Sequence, residues 1–170
     1  MRRLISIAGV AATVTLLGGV APSAAGASGS TRCTDTLAPG SYGRVVVPAG
    51  AVCLSEGPVR ISGGLWIRSG ATFVLGSEQS SNTGTIDDGV HATDPASVQI
   101  HFATINGGLD VQGGSGAFGG PFDITWNAIE DNTIHGSLMC SGNSPQPQVG
   151  DSEGSPNDVT GRKFGQCTKV

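Results

Sequence analysis

Ile61-Ser62-Gly63-Gly64-Leu65-Trp66-Ile67, continued by Arg68-Ser69-Gly70-Ala71-Thr72-Phe73-Val74-Leu75, is the stretch on which the fold turns. Apolar residues fall at every second position, as a half-buried strand requires, and the glycine pair interrupts them as a corner would. The pattern is therefore strand, corner, strand. Written as apolar-x-Gly-x-apolar-x-apolar, it returns at Ser41 to Val47 (Ser41 in the first apolar slot), at Ile86 to Ala92 (Asp88 in the glycine slot) and at Ile105 to Val111. Further copies run from Ile134 to Cys140 and, more worn, from Val159 to Phe164. Successive copies lie roughly 20 to 30 residues apart, the spacing of solenoid repeats. Gly50-Ala51-Val52-Cys53, Gly70-Ala71-Thr72-Phe73 and Pro95-Ala96-Ser97-Val98 follow their units at one offset and support the same register. The expected fold is all-β, a parallel β-helix (solenoid) of about six short coils.

The recurring glycine fits corners where the backbone adopts conformations closed to residues with a Cβ. Val45, Leu65, Val90, Leu109 and Leu138 would stack inward as the core. Insertions would leave at corners, the clear cases being Gly113 to Gly120 and Ser144 to Pro156. Val98-Gln99-Ile100-His101-Phe102 alternates as a strand with Gln99 and His101 on its outer face, and Phe122 to Ile129 reads similarly. Ser141 to Asp158, with three prolines, reads as a long exposed excursion. No amphipathic helix is evident.

The N-terminus reads differently from the rest. Met1-Arg2-Arg3 is a basic start, Leu4 to Val20 is apolar and rich in small residues, and Ala25-Gly26-Ala27 offers a small-x-small cleavage site. Residues 1–27 are expected to be a signal peptide and residues 28–170 a single secreted domain. A retained membrane anchor is the alternative, opposed by the short stretch and by Pro22. The chain carries a formal net charge of −4, and loss of Arg2 and Arg3 would make the mature part more acidic. No basic patch stands out in the sequence, which argues against nucleic acid and against an anionic membrane surface as partners.

All four cysteines lie beyond the leader, an even number suited to an oxidising compartment. The register selects a pairing. Cys53 takes the inward slot held by Phe73 and Val98 in later coils, and Cys33 precedes the first coil. Cys140 takes the inward slot of the fifth copy, and Cys167 follows the sixth. Cys33–Cys53 and Cys140–Cys167 would staple the two ends, each worth on the order of 3 kcal/mol. A zinc site is the other use of four cysteines, but no C-x-x-C pair is present.

The chain also resembles the small secreted β-solenoid proteins of high-GC Gram-positive bacteria. The likeness is carried by Val47-Pro48-Ala49-Gly50-Ala51-Val52-Cys53-Leu54, by Gly107-Gly108-Leu109-Asp110-Val111, and by Gly136-Ser137-Leu138-Met139-Cys140-Ser141-Gly142-Asn143-Ser144-Pro145 closing near Gly165-Gln166-Cys167. It covers nearly all of residues 28–170, with Asp88 the departure. It implies a shape related to pectin-lyase-like and bactofilin-type solenoids, and it implies no activity.

The outward positions stack as Val46, Trp66, His91, Asp110, Met139 and Lys163, with rungs roughly 4.8 Å apart. Trp66, His91 and Asp110 would form one local stripe, with Asp88 nearby. An aromatic ring, an imidazole and two carboxylates suit sugar binding or acid–base chemistry. Ile86-Asp87-Asp88-Gly89 is faintly similar to the Asp-Asp step of pectin-degrading hydrolases, but a Gly-His-Gly and an Arg-x-Lys are missing. Glycoside hydrolysis further needs two carboxylates at a set separation across the scissile bond. Arg60, Arg68 and Arg162 lack partnered spacing for lyase chemistry, and no Gly-x-Ser-x-Gly elbow is present. His91, His101 and His135 lack zinc spacing and read as surface or corner residues. Asn82, Asn106, Asn132 and Asn157 recur near a corner and suggest an internal amide ladder.

The sequence thus points to a non-enzymatic secreted structural or binding module, monomeric and without cofactor or metal. Its candidate partners are a cell-wall or extracellular polysaccharide or a surface protein, met through Trp66, His91 and Asp110. The alternative is a small polysaccharide-active enzyme using Asp88, His91 and Asp110.

Overall fold

A computed structural model describes residues 29–77, 79–117, 126–148 and 154–170. The expected signal peptide lies outside the described residues, as do much of the glycine-rich insertion, the first half of the Phe122 to Ile129 run and part of the later excursion. Among the described residues there are seventeen strands. In order these are β1 (Ser30–Arg32), β2 (Gly40–Tyr42), β3 (Arg44–Val47), β4 (Val52–Ser55), β5 (Val59–Ile61) and β6 (Leu65–Ile67). Then come β7 (Thr72–Leu75), β8 (Gly84–Ile86), β9 (Val90–Thr93), β10 (Ser97–His101), β11 (Ala103–Asn106) and β12 (Leu109–Gln112). Last are β13 (Ala128–Glu130), β14 (Thr133–His135), β15 (Leu138–Ser141), β16 (Asp158–Val159) and β17 (Lys163–Gly165), followed by a 3-10 turn over Gln166–Lys169.

Every pairing is parallel, and the strands fall into three sheets. A seven-stranded sheet runs β1-β3-β6-β9-β12-β15-β17, a six-stranded sheet β16-β14-β11-β8-β5-β2, and a four-stranded sheet β13-β10-β7-β4. The chain visits the six-stranded, seven-stranded and four-stranded sheets in turn. Each circuit adds one strand beside its predecessor. In the fifth circuit, among the described residues, the place in the four-stranded sheet is marked by Gln148, which bridges Ala128.

Alternation of side chains puts one apolar column inside each sheet. Val45, Leu65, Val90, Leu109 and Leu138 pair in succession, and none is more than 1 % exposed. Tyr42, Ile61, Ile86, Ile105, Ile134 and Val159 pair likewise in the six-stranded sheet, and Cys53, Phe73 and Val98 in the four-stranded one. These columns merge into one cluster, in which each buried aliphatic side chain contributes about 1.5–3 kcal/mol. The branched residues suit it, because short pleated strands stack like on like.

Two slots differ from the sequence pattern. Tyr42, not Ser41, pairs with Ile61, so the first corner is one residue shorter than the rest. At the other end Lys163 pairs with the inward Leu138, and Phe164 pairs with Met139. Lys163 therefore occupies the core slot of the last rung, and Phe164 takes the outward place expected for the lysine. The Lys163 ammonium donates to the carbonyls of Asn157 (3.2 Å) and Val170 (2.6 Å). An inward charge at a terminal strand opposes further strand addition.

Both disulfides form as the register requires. Cys33–Cys53 spans a Cα separation of 5.5 Å, and Cys140–Cys167 one of 5.1 Å. All four half-cystines are buried. The first ties the segment around Cys33 onto the first circuit, where Leu37 N–H donates to Leu54 C=O (2.8 Å) and Leu54 N–H to Asp35 C=O (2.8 Å). The second holds the 3-10 turn against the last rungs.

The corners show two separate uses of glycine. Asp88, in a glycine slot, has φ 58°, a left-handed conformation that aspartate tolerates better than most residues. Gly136 lies outside that region. Its lack of a side chain matters for space, because a Cβ there would overlap the Gly107 carbonyl oxygen of the rung beside it.

The amide ladder exists with a different membership. Asn132 Nδ2 donates to Asn157 Oδ1 (2.9 Å) and to Ile100 C=O (2.8 Å), and Asn132 Oδ1 accepts from Ala103 N–H (2.9 Å). Asn157 Nδ2 reaches Ile129 C=O (2.6 Å). Asn82 instead accepts from Gly84 N–H in an exposed turn, and Asn106 bonds Asp87 on the surface. A second ladder joins Asn143 to Gln166. Asn132→Ala is expected to cost about 3 kcal/mol, since it strands buried backbone groups. Asn82→Ala should change stability by less than about 0.5 kcal/mol. Urea midpoints at unchanged m-value would test both.

Candidate functional site

The outward column of the seven-stranded sheet reads Val46, Trp66, His91, Asp110, Met139, Phe164. Strict parallel register is what brings Trp66, His91 and Asp110 together from strands that are far apart in sequence. The Trp66 and His91 rings stack with centroids 4.3 Å apart at 28°. Arg44 and Arg68 extend from positions flanking this column, their Cζ atoms 5.9 and 5.4 Å from the Trp66 ring centroid. Both are within cation–π range, worth about 0.5–1 kcal/mol at an exposed site. Arg32 pairs with Val46 in the same column, so it adds a third guanidinium to this face.

These arginines come from β1, from β3 and from the position just after β6, and form no cluster in the sequence. Register assembles a local cationic patch that composition alone did not reveal. The upper part of the column is different in character. Asp110 Oδ2 accepts from Gln112 Nε2 (2.7 Å), and Asp110 Oδ1 has no partner among the described residues. Met139 and Phe164 beyond it are exposed, at 38 % and 42 %.

Asp88 lies beside the stripe but outside its column. It is exposed at the corner before β9 and lines a groove with Arg44, Ser62 and Gly63. Asp87, its neighbour, pairs with Arg60 at 3.2 Å on the six-stranded sheet. The two carboxylates of the enzymatic reading thus sit on different features, one on the sheet face and one at its corner. His91 has one ring face committed to Trp66. Among the described residues, no three His, Cys, Asp or Glu side chains gather as metal ligands.

His135 is exposed, whereas His101 is not the surface residue its spacing suggested. It points away from the core on the four-stranded sheet, yet it is 4 % exposed, and Glu130 beside it is fully buried. Nδ1 of His101 lies 2.6 Å from Glu130 Oε1. The later excursion provides the cover: Gly154 lies directly against Glu130 Oε2, and Ser155 exchanges hydrogen bonds with Asp131. Gln99, also read as outer-face, is buried and donates from Nε2 to the Trp126 carbonyl (2.9 Å). Alternation identified the correct side of the strand but could not show that other segments lie over it.

No family model matches this chain, and neither a curated protein nor a solved structure does. Among the described residues, no helix is long and apolar enough to cross a membrane.

Proposed function

We propose that this chain is a secreted parallel β-solenoid that acts outside the cell as a binding module and not as an enzyme. Its ligand on this reading is an anionic extracellular or cell-wall polysaccharide. The observation that carries the proposal is the Trp66–His91 stack flanked by Arg44 and Arg68 on an open sheet face. An aromatic platform offers apolar contact to sugar C–H faces, and planar guanidinium groups match carboxylate or phosphate oxygens. A repeating ladder suits a repeating polymer, since neighbouring rungs present equivalent positions at a fixed spacing.

Support for the solenoid comes from the sheet orders, in which strands add one circuit at a time. Two disulfides at opposite ends fit an oxidising location, and with the expected leader they favour export. Capped ends favour a monomer: the Cys33 segment covers one, and Lys163 with the 3-10 turn covers the other.

Binding of the purified protein to immobilised polysaccharides tests the function. Uronate- or phosphate-bearing polymers are expected to retain it, with retention falling as salt rises. Trp66→Ala should weaken retention at least tenfold without moving the melting temperature by more than a few degrees. Retention by neutral polymers alone, or only by a protein partner, would contradict this reading.

A further inference from the structure

A second surface has the makings of a ligand site. Over the outer face of the four-stranded sheet lies a cavity of about 270 Å³. Leu54 and Val74, paired on adjacent strands, form its floor. Gln99 and His101 of β10 line it, together with Trp126 and Ser77. It lies on a different sheet from the Trp66 stripe.

The polar groups are placed in a buried, tethered form. Gln99 is 5 % exposed and His101 4 %. Gln99 uses Nε2 on the Trp126 carbonyl, which fixes the amide and leaves Oε1 as an acceptor. Among the described residues no side-chain hydrogen bond of Gln99 Oε1 is formed. The contact with Glu130 engages Nδ1 of His101, so Nε2 is the remaining polar atom of a ring that lines the cavity. A buried ionisable pair costs desolvation energy that a sheet surface has no need to incur, and covering a histidine only to hold it against a cavity wall suits a ligand contact.

We propose that this cavity binds one neutral pyranose ring, with Gln99 Oε1, His101 Nε2 and the Ser77 hydroxyl meeting its hydroxyl groups and with Leu54, Val74 and Trp126 against its C–H faces. The walls disfavour anions: among the described residues no lysine or arginine lines the cavity, and Glu56 does. The volume is near the lower limit of the roughly 300–1,000 Å³ found for drug-sized ligands, so the site takes a single ring and not a chain segment. A site of this kind reads a free sugar or a chain end. It is independent of the polymer-binding face.

Calorimetric and 1H–15N NMR titrations of the purified protein with glucose, galactose, mannose and N-acetylglucosamine test the assignment, with glucuronate and glucosamine as charged comparators. At least one neutral sugar is expected to bind saturably and to shift the His101 side-chain nitrogen resonances. Val74→Phe, which fills the cavity from its floor, and Trp126→Ala, which opens its wall, should each weaken that binding at least tenfold. Two variants from separate segments guard against loss of folding in one. Trp66→Ala should leave it unchanged, which separates this site from the face proposed above. Lack of saturable binding by any neutral sugar, preference for glucuronate, or undiminished binding by a folded Val74→Phe protein would overturn the proposal.

Discussion

Gly136→Ala is expected to lower the melting temperature by about 10 °C or more, the largest effect of any single methyl addition considered. The cause is space and not backbone conformation. At Gly136 the corner of one rung lies against the corner of the next, and the new methyl would overlap the Gly107 carbonyl oxygen. Backbone cannot rotate away as a side chain can. The two rungs must part, weakening the hydrogen bonds around Gly107 N–H to His135 C=O (3.2 Å) and Leu109 N–H to Ser137 C=O (2.9 Å). Overpacking of this kind costs about 3 kcal/mol or more, and in a domain of this size each kcal/mol moves the melting point by roughly 4 °C. Gly50→Ala is a useful contrast. A Cβ there meets nothing within 4 Å, and only its φ of 69° opposes the change, so the loss should be about 1 kcal/mol. Differential scanning calorimetry of the two variants separates close approach from left-handed strain.

The second large effect concerns the covered pair. His101→Leu should cost about 3–5 kcal/mol, because it leaves the fully buried Glu130 carboxylate without its partner. The double variant His101→Leu/Glu130→Leu should recover most of that loss, since replacing both members of a buried pair by apolar groups is often neutral or stabilising. Denaturant unfolding of wild type, both single variants and the double variant completes the cycle. Equal losses in the single and double variants would mean that the pair contributes through packing alone.

How much of this was legible beforehand depended on what period-2 alternation encodes. It encodes which side of a strand a residue faces, and it served well for Val45, Leu65, Val90 and their column, and for the two disulfides placed by register. It does not encode what lies across that side. Gln99 and His101 face outward, as their pattern says, but Trp126 comes from far along the chain to meet Gln99, and Gly154 lies against the Glu130 that sits beside His101. Nor does alternation survive a deliberate exception. Lys163 in an inward slot reads as a surface lysine, because a charge capping an open end looks in sequence like a charge on a face. The asparagine ladder failed in part for a similar reason: Asn106 recurs at the expected interval but faces solvent, and Asn143 with Gln166 lies at a different corner. Arg44, Arg68 and Arg32 became a patch only once the register between strands was known.

The claim that matters most is that the Trp66 face binds an anionic glycan. The most direct test is an NMR titration with a uronate oligosaccharide that follows the Trp66 indole N–H and the Arg44 and Arg68 side-chain resonances. The predicted result is a saturable shift of all three, reversed by added salt, while the Trp126 indole stays in place. A titration in which these three signals do not move, or in which the shifts map to another face, would contradict the account.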